Sequence, residues 1–341
     1  MGTVAASTDP LAARRAAIRT YRIADLGTLG GPSSEAAGLN NLGDVVGASA
    51  TSSGAAHAFL SRGGRIADLG TLAGGTTSAA TGINDAGLIV GTSGINAYGP
   101  QFQEFTQGFA WQDGSMRAVG ALYCPCSFNV RYGTSAAFAV SNSGWIVGDS
   151  QTSRAALRHA FAWRENAMRD LGLLVDPQGS TFAYGVNDIL EVVGAANGRA
   201  FLERDGVATD LAALPGYAAS SARAVNNRGT AVGSVVDAAG ASRAVMWDLG
   251  AIRDLGTLPG DAASQALAIN ADGEIAGRSG DTDFSHAHAV VWRDGVAIDL
   301  NRAFAGSAWT LLSATAINDV GQIAGVGVHN GERRAFLLSP D

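Results

Sequence analysis

A short pattern of apolar and polar residues recurs along the chain: an apolar run, a polar turn containing Asn and Gly, and a second apolar run. GINDAGLIVG, at residues 82–91, is one copy. The copies begin at Gly38, Gly82, Ala139, Gly185, Ala224, Ala268 and Ala316. Two apolar runs joined by a Gly-containing turn predict a β-hairpin, so we expect seven hairpins.

Each hairpin is followed by two further strand-like segments. The first is a five-residue run such as HAFAW, which begins at His57, Gly108, His159, Arg199, Arg243, His288 or Arg334. The second ends in DLGTL at Asp25, Asp68 and Asp254, and in variants of it elsewhere. Consecutive copies start between 39 and 57 residues apart, a period typical of four-stranded propeller blades. The sequence therefore predicts an all-β, seven-bladed β-propeller.

The ends of the chain indicate how the ring closes. The seventh copy stops after its third strand with RAFLLSPD, whereas the chain opens with a fourth strand, TYRIADLGTLGG, before any hairpin. We expect the N-terminal strand to complete the last blade, which removes the exposed sheet edges. An open solenoid, the alternative, would need capping repeats. The predicted organisation is an N-terminal extension over residues 1–19 and one propeller domain over 20–341.

The hairpins also carry conformational signals. Gly87 and Gly321 occupy a turn position that favours left-handed backbone, and small residues such as Gly82 and Gly185 predict close packing of the inner strands. The pattern is broken by Ser141 at the Asn position, Leu190 at the turn Gly position and Ala118 at the Asp position of the strand ending. We expect altered turns in those blades.

The combination of DLGTLGG, GINDAGLIVG and HAFAW resembles the HAF-repeat family, a group of bacterial proteins described as extracellular repeats. The resemblance covers residues 21–338. It implies the repeat architecture and carries no activity over to this chain.

Composition and charge narrow the class of protein. Hydrophobic residues make up 47% of the chain and charged residues 16%, which indicates a packed core, and the 46 glycines are typical of a fold rich in tight turns. The net charge of −7 and the absence of a basic run disfavour nucleic-acid partners. No secretory leader or membrane span is evident. We expect a monomer without a membrane partner, cytoplasmic as the sequence stands and extracellular if it is a trimmed form.

Loop length varies almost entirely on one face of the predicted ring. The two longest insertions, between blades 2 and 3, combine aromatic residues with Glu104 and Arg131, and a third variable loop contains Trp309. The aromatic candidates in the two insertions are Tyr98, Phe102, Phe105, Tyr123, Phe128 and Tyr132. These residues predict an apolar pocket with a few polar anchors. The alternative is that the two loops pack against each other.

The first strand of each hairpin contains positions whose residue type changes freely. They include Glu35, Phe138, Phe182, Tyr184, Arg223, Gln265 and Leu267. We expect them to line the mouth of the central channel. Packing between blades is the alternative, favoured for Phe138 and Leu267 but weaker for Arg223 and Glu35, because a buried charge needs a partner.

Other chemical groups give weaker signals. His57, His159 and His288 occupy a repeat position and are expected to form structural hydrogen bonds. His286 and His329, with Asp281 and Asp283, are candidates for an acid–base pair or a metal site. The thiols of Cys124 and Cys126 lack a second pair of zinc ligands.

Calcium is disfavoured at the hairpin turns because the Asp of the turn is replaced in several copies. The replacements are assigned to Asn41, Ser143, Asn227 and Ala271. No cofactor or metal motif is present.

These observations predict a propeller that binds a small or medium-sized organic ligand on its loop face. The sharper hypothesis is a cofactor-free cyclase, isomerase or lyase that uses Glu104, Arg131, Tyr184, Arg223 or His286. The alternative is a noncatalytic module that recognises a glycan or a protein.

Overall fold

The computed structural model describes residues 19–96, 105–122, 133–152 and 157–341. These form seven four-stranded antiparallel sheets arranged in a ring, which confirms the predicted seven-bladed propeller. Blade 1 comprises β2 (Gly30–Leu39), β3 (Val45–Thr51), β4 (Ala56–Arg62) and β5 (Arg65–Asp68). Blade 2 comprises β6 (Ser78–Ile83), β7 (Ile89–Ile95), β8 (Phe105–Gln112) and β9 (Ser115–Ala118). Blade 3 comprises β10 (Ser135–Val140), β11 (Ile146–Gln151), β12 (Arg158–Arg164) and β13 (Ala167–Asp170).

Blades 4 to 6 follow the same order. Blade 4 comprises β14 (Thr181–Val186), β15 (Val192–Ala196), β16 (Arg199–Arg204) and β17 (Val207–Asp210). Blade 5 comprises β18 (Tyr217–Val225), β19 (Ala231–Asp237), β20 (Ser242–Asp248) and β21 (Ala251–Asp254). Blade 6 comprises β22 (Ala263–Ile269), β23 (Ile275–Gly280), β24 (Ala287–Arg293) and β25 (Val296–Asp299). Short helices lie only in two connections of the described chain: α1 (Gly172–Val175) and a 3-10 helix (Leu300–Phe304). Among the described residues no helix is long and apolar enough to cross a membrane.

Blade 7 joins the two ends of the chain, as predicted. It consists of β26 (Trp309–Ile317), β27 (Ile323–His329) and β28 (Glu332–Pro340), with β1 (Tyr21–Asp25) as its fourth strand. Strand β1 pairs antiparallel with β28 from Tyr21↔Pro340 to Asp25↔Phe336. The N-terminal strand therefore closes the ring through backbone hydrogen bonds.

The hydrophobic core lies between adjacent blades. The aromatic residue of the HAF-like segment is fully buried in most blades, as Phe59, Phe109, Phe161 and Phe336 show. Phe109, for example, packs with Val46 of blade 1 and with residues of its own blade. Burial of one such side chain stabilises the fold by about 1.5–3 kcal/mol, so the repeated aromatic accounts for much of the cohesion between blades.

The hairpin turns are more uniform than expected. Gly87 and Gly321 have left-handed backbone at φ +78°, as predicted. The expected alteration at Leu190 is wrong, because Leu190 adopts the same conformation at φ +63° and keeps the turn hydrogen bond to Asn187. Ser141 likewise keeps the turn, since its backbone N–H donates to the carbonyl of Trp145 at 2.9 Å. The hydrogen-bonded hairpin imposes the turn on both sequences.

Candidate functional site

The inner strand of every blade carries a β-bulge at the same position. In blade 4, Ala183 pairs with Gly194 and Gly185 with Val193, which leaves Tyr184 without a partner. The seven bulge residues are Ala37, Thr81, Phe138, Tyr184, Arg223, Leu267 and Thr315. All seven line a central cavity of about 300 Å³. Bulges re-aim side chains out of the ladder, and here they direct the variable residue of each blade into the channel.

The bulge also explains the invariant glycine of the second strand. A Cβ on Gly91 would lie 2.1 Å from the carbonyl oxygen of Ala79, and one on Gly194 would lie 1.8 Å from that of Phe182. No side chain fits there. The channel lining is thus fixed by backbone geometry, whereas its chemistry is set by the bulge side chains.

The channel wall is asymmetric. Blades 7, 1 and 2 contribute the small Thr315, Ala37 and Thr81, whereas blades 3 to 6 contribute Phe138, Tyr184, Arg223 and Leu267. The hydroxyl of Thr81 donates to the carbonyl of Ala137 in the next blade at 3.0 Å. The small side of the ring leaves space beside a wall of aromatic and cationic groups.

Tyr184 lies at the centre of this wall. Its ring is parallel to Phe182 at 6.1 Å, tilted against Phe138 at 5.5 Å, and covered by the Arg223 guanidinium at 4.3 Å. Such a cation–π contact contributes about 0.5–2 kcal/mol, more when it is desolvated. Burial raises the pKa of Tyr184, with a smaller contribution from the charge of Asp149 and an opposing one from Arg223. The phenol therefore keeps its proton at neutral pH and can donate a hydrogen bond.

A second cavity adjoins the channel between blades 4 and 5. It measures about 380 Å³ and is lined by Phe182, Tyr184, Asn197 and Arg223 together with small residues such as Ser221. Tyr184 and Arg223 line both cavities. Each volume falls at the lower end of the range of small-molecule sites.

Further charged groups lie at the loop-face mouth of the channel. Arg333 pairs with Glu35, and Arg158 with Asp149. Burial raises the pKa of Asp149, although the charge and hydrogen bond of Arg158 oppose this. Gln265 accepts two hydrogen bonds from Arg278, at 2.8 and 3.0 Å. The charged and amide positions predicted to line the mouth are thus held by specific partners.

The predicted site residues fall into three groups. Phe138, Phe182, Tyr184 and Arg223 line the two cavities, with Glu35 and Gln265 on the inner strands nearby. Leu267, for which packing between blades was favoured, also lines the channel. Seven further candidates lie outside the described residues, together with Cys124 and Cys126: Tyr98, Phe102, Glu104, Tyr123, Phe128, Arg131 and Tyr132.

Three predicted residues lie away from these cavities. Trp309 is parallel to His329 at 4.4 Å and meets Phe336 edge-on at 6.1 Å. Phe105 packs on the core of blade 2. The His286 side chain is 87% exposed and lies 2.8 Å from Asp281, outside both cavities. None of the three contributes to the site at Tyr184.

The histidines divide between structural and surface roles. Nδ1 of His57 lies 2.8 Å from Asp68, and Nδ1 of His159 lies 3.0 Å from Asp170, so in blades 1 and 3 the first residue of HAF contacts the Asp of the DLGTL-like ending. The structural hydrogen bond expected for His288 is not formed, because its Nδ1 lies 3.5 Å from Asp261. His329 does not join His286, because its Nδ1 lies 2.8 Å from Asp25. Among the described residues, no cluster of three or more potential metal ligands is present.

The opposite face carries two rings of hydrogen bonds between the hairpin turns. In the inner ring, Asn Nδ2 donates to the turn carbonyl of the next blade, for example from Asn40 to Asn84 at 3.2 Å and from Asn318 to Asn40 at 3.0 Å. The outer ring, here called the turn ring, consists of Asn41, Asp85, Asn142, Asp188, Asn227, Ala271 and Asp319. Six of its backbone N–H groups donate to the next side chain around the ring.

The turn ring accounts for the variation at the Asp position. The residue equivalent to Asp85 in blade 3 is Asn142, not Ser143, because Asn142 forms the ring hydrogen bonds. Asn and Asp alternate until Ala271, which stands between Asn227 and Asp319. A ring of seven cannot alternate two residue types without placing two alike side by side. Ala271 occupies that place, and no two carboxylates are neighbours.

Several interblade contacts were missed from the sequence. Ser78 accepts a hydrogen bond from the Ala58 N–H at 2.8 Å and donates to the Gly70 carbonyl at 2.6 Å. Ser34 and Ser135 make the equivalent contacts. The signal was the recurrence of Ser or Thr four residues before the small residue that starts most hairpins.

Comparisons with known proteins identify the fold. The sequence matches no protein-family model, and no functionally curated protein is significantly similar to it. A puromycin-hydrolysing peptidase of Mycobacterium tuberculosis is 14% identical, with a TM-score of 0.51 over 92% of this chain and 49% of its own. An acylaminoacyl peptidase of Pyrococcus horikoshii is 10% identical, with a TM-score of 0.50 over 83% and 48%.

A gluconolactonase of Xanthomonas campestris is 11% identical, with a TM-score of 0.44 over 97% of this chain and 93% of its own. The chain spans about half the length of the two peptidases. At 14% and 10% identity, the likeness to the two peptidases shows the propeller fold alone, and propellers host many unrelated functions.

Proposed function

We propose that the protein binds a small or medium-sized organic ligand at the loop-face mouth of the channel, beside Tyr184. One observation carries the proposal: the guanidinium of Arg223 stacks on Tyr184 between two cavities and forms no ion pair or hydrogen bond with any described residue. An aromatic plane, a phenol donor and a guanidinium thus converge on the same space. Apolar pockets with a few convergent polar groups are typical of ligand sites.

The finer proposal is a cofactor-free enzyme of the cyclase, isomerase or lyase type. Such chemistry requires that the substrate be positioned and one proton moved. Tyr184 is a phenol that is protonated at neutral pH, and burial, which raises its pKa, keeps it a hydrogen-bond donor to a bound substrate. Arg223 would stabilise negative charge that develops beside it.

A glycan- or protein-recognition module is the competing proposal. A module that reads repeated sugars needs similar pockets in several blades. The bulge residues instead range from Ala37 to Arg223, and the aromatic ones belong to the adjacent blades 3 and 4. This asymmetry favours one site over seven equivalent ones.

The test is a ligand-observed NMR screen of neutral, anionic and sugar-like fragments against the wild-type protein, Tyr184→Ala and Arg228→Gln. Arg228 lies at a hairpin turn on the opposite face, so its variant is the control. We expect hits whose signals weaken in Tyr184→Ala and persist in Arg228→Gln. Hits that persist in Tyr184→Ala would refute the proposed site, and hits confined to sugars with several binding sites per chain would favour the recognition module.

A further inference from the structure

Three neighbouring blades each contribute a guanidinium group at the loop-face mouth of a chain whose net charge is −7. Arg223 extends from β18, Arg278 from β23 and Arg333 from β28. Burial lowers the pKa of Arg278, and the charges of Arg223 and Arg333 lower it further. Like charges are therefore gathered here, although carboxylates outnumber arginines over the whole chain.

The carboxylates at the mouth neutralise other arginines. Glu35 pairs with Arg333 and Asp149 with Arg158. Arg223 and Arg278 form no ion pair with any described residue. Elsewhere the buried Arg293 pairs with Glu274. Two positive charges at the mouth thus remain without a carboxylate partner in the described part of the chain.

Neutral groups hold both uncompensated guanidinium groups in place. Gln265 accepts from Nε and Nη2 of Arg278, and the ring of Phe284 lies 4.2 Å from its Cζ. Arg223 is held 4.3 Å over Tyr184. These contacts orient two planar donors without cancelling their charge. Oriented guanidinium groups are suited to bidentate binding of carboxylate or phosphate.

We infer that the ligand bears an anionic group, a carboxylate or a phosphate, which binds between Arg223 and Arg278. This inference rests on the proposed ligand site and specifies the charge of its ligand. The apolar or aromatic part of the molecule packs against Phe182 and Tyr184, which line the cavity of about 380 Å³. The anion replaces the counter-charge that the described chain does not supply.

The test measures binding of benzoate, phenyl phosphate and the neutral benzyl alcohol by isothermal titration calorimetry. The proteins are wild type, Arg223→Gln, Arg278→Gln, Tyr184→Ala and, as a matched control on the opposite face, Arg228→Gln. We expect at least one anion to bind about tenfold more tightly than benzyl alcohol, with this advantage lost in the two mouth variants and kept in the control. Anion affinity should fall between about 50 and about 300 mM salt.

The two anions distinguish a carboxylate ligand from a phosphate ligand. The inference is overturned if neither anion binds, if benzyl alcohol binds as tightly as both, or if Arg223→Gln and Arg278→Gln leave anion affinity unchanged. Equal binding of all three probes that is lost in Tyr184→Ala would overturn the anion inference while supporting the proposed site. Thermal unfolding of each variant verifies that it is folded.

Discussion

Ala271 marks the place where the turn ring lacks a side-chain hydrogen bond. An Asn there would accept from the Asn227 N–H, as Asn142 does from Asp85 at 2.9 Å. Its amide would donate to Asp319, the next residue of the ring, as the amide of Asn41 does to Asp85 at 3.1 Å. A typical hydrogen bond contributes about 0.5–1.5 kcal/mol. Because these positions are partly solvated, we expect Ala271→Asn to raise the free energy of unfolding by about 1 kcal/mol.

Ala271→Asp is the matched variant, because Asp and Asn have nearly the same shape. The new carboxylate could accept from Asn227 but would stand beside the carboxylate of Asp319. Two such charges about 4 Å apart repel by about 4 kcal/mol at an effective dielectric constant near 20. Solvent screening at this partly exposed position reduces the effect to about 1–2 kcal/mol. We expect Ala271→Asp to be less stable than Ala271→Asn by that amount at neutral pH.

The pH dependence separates charge from shape. Repulsion raises the folded-state pKa of the new carboxyl pair above the unfolded value near about 4. The deficit of Ala271→Asp is therefore absent below that value and develops as the pH rises through the folded pKa. Urea denaturation at about pH 7 and about pH 3 measures it. Equal stability of the two variants at about pH 7, or a gap that persists at about pH 3, would show that alternation of charge does not govern the ring.

Three other perturbations test the fold and its electrostatics. Gly91→Ala places a Cβ 2.1 Å from the carbonyl oxygen of Ala79 on the bulged strand and should lower the free energy of unfolding by about 3 kcal/mol or more. Gly82→Ala, in the same hairpin, is the control because its Cβ meets only ordinary contacts. Equal shifts of the unfolding temperature in the two variants would argue against the bulge constraint. Glu274→Gln leaves the buried guanidinium of Arg293 without its carboxylate and should lower the free energy of unfolding by about 3–5 kcal/mol. Urea denaturation should show that the double variant Glu274→Gln/Arg293→Met recovers this stability, because it removes the unpaired charge. Hydrogen bonds from His286 and Ser285 lower the pKa of Asp281. The contribution of the Asp281 carboxylate to folding stability is therefore present above the ordinary carboxyl pKa and fades as the pH falls toward the folded value. The stability difference between wild type and Asp281→Asn should shrink on acidification, and a constant difference would contradict this.

The sequence was sufficient to predict the ring because each blade repeats the same local signals. The turn glycines, the buried Phe109 and its equivalents, and the divided last blade each indicate one consistent topology. Tyr184 and Arg223 were recognisable as well, because they vary within a strand that is otherwise uniform. Local sequence patterns were therefore enough to predict the fold and the variable residues of the inner channel wall.

The rest of the site depends on register and on contacts between distant segments. Arg278 and Arg333 lie on second and third strands, where neither composition nor spacing indicates that they meet Arg223. The bulges could not be predicted, because the small residues beside them in the sequence are equally common in ordinary strands. Of the grouping expected for His286, His329 and Asp281, the contact between His286 and Asp281 is present, whereas His329 contacts Asp25, a partner that the sequence did not indicate.

The bulges have a consequence for how new specificities could arise in this scaffold. A bulge residue has no partner in the strand ladder, so its replacement leaves the backbone pairing of the blade intact. The seven lining positions can therefore be substituted one at a time while the strand pairing of every blade is kept. Directed evolution confined to these positions should alter what the channel accepts long before it compromises folding.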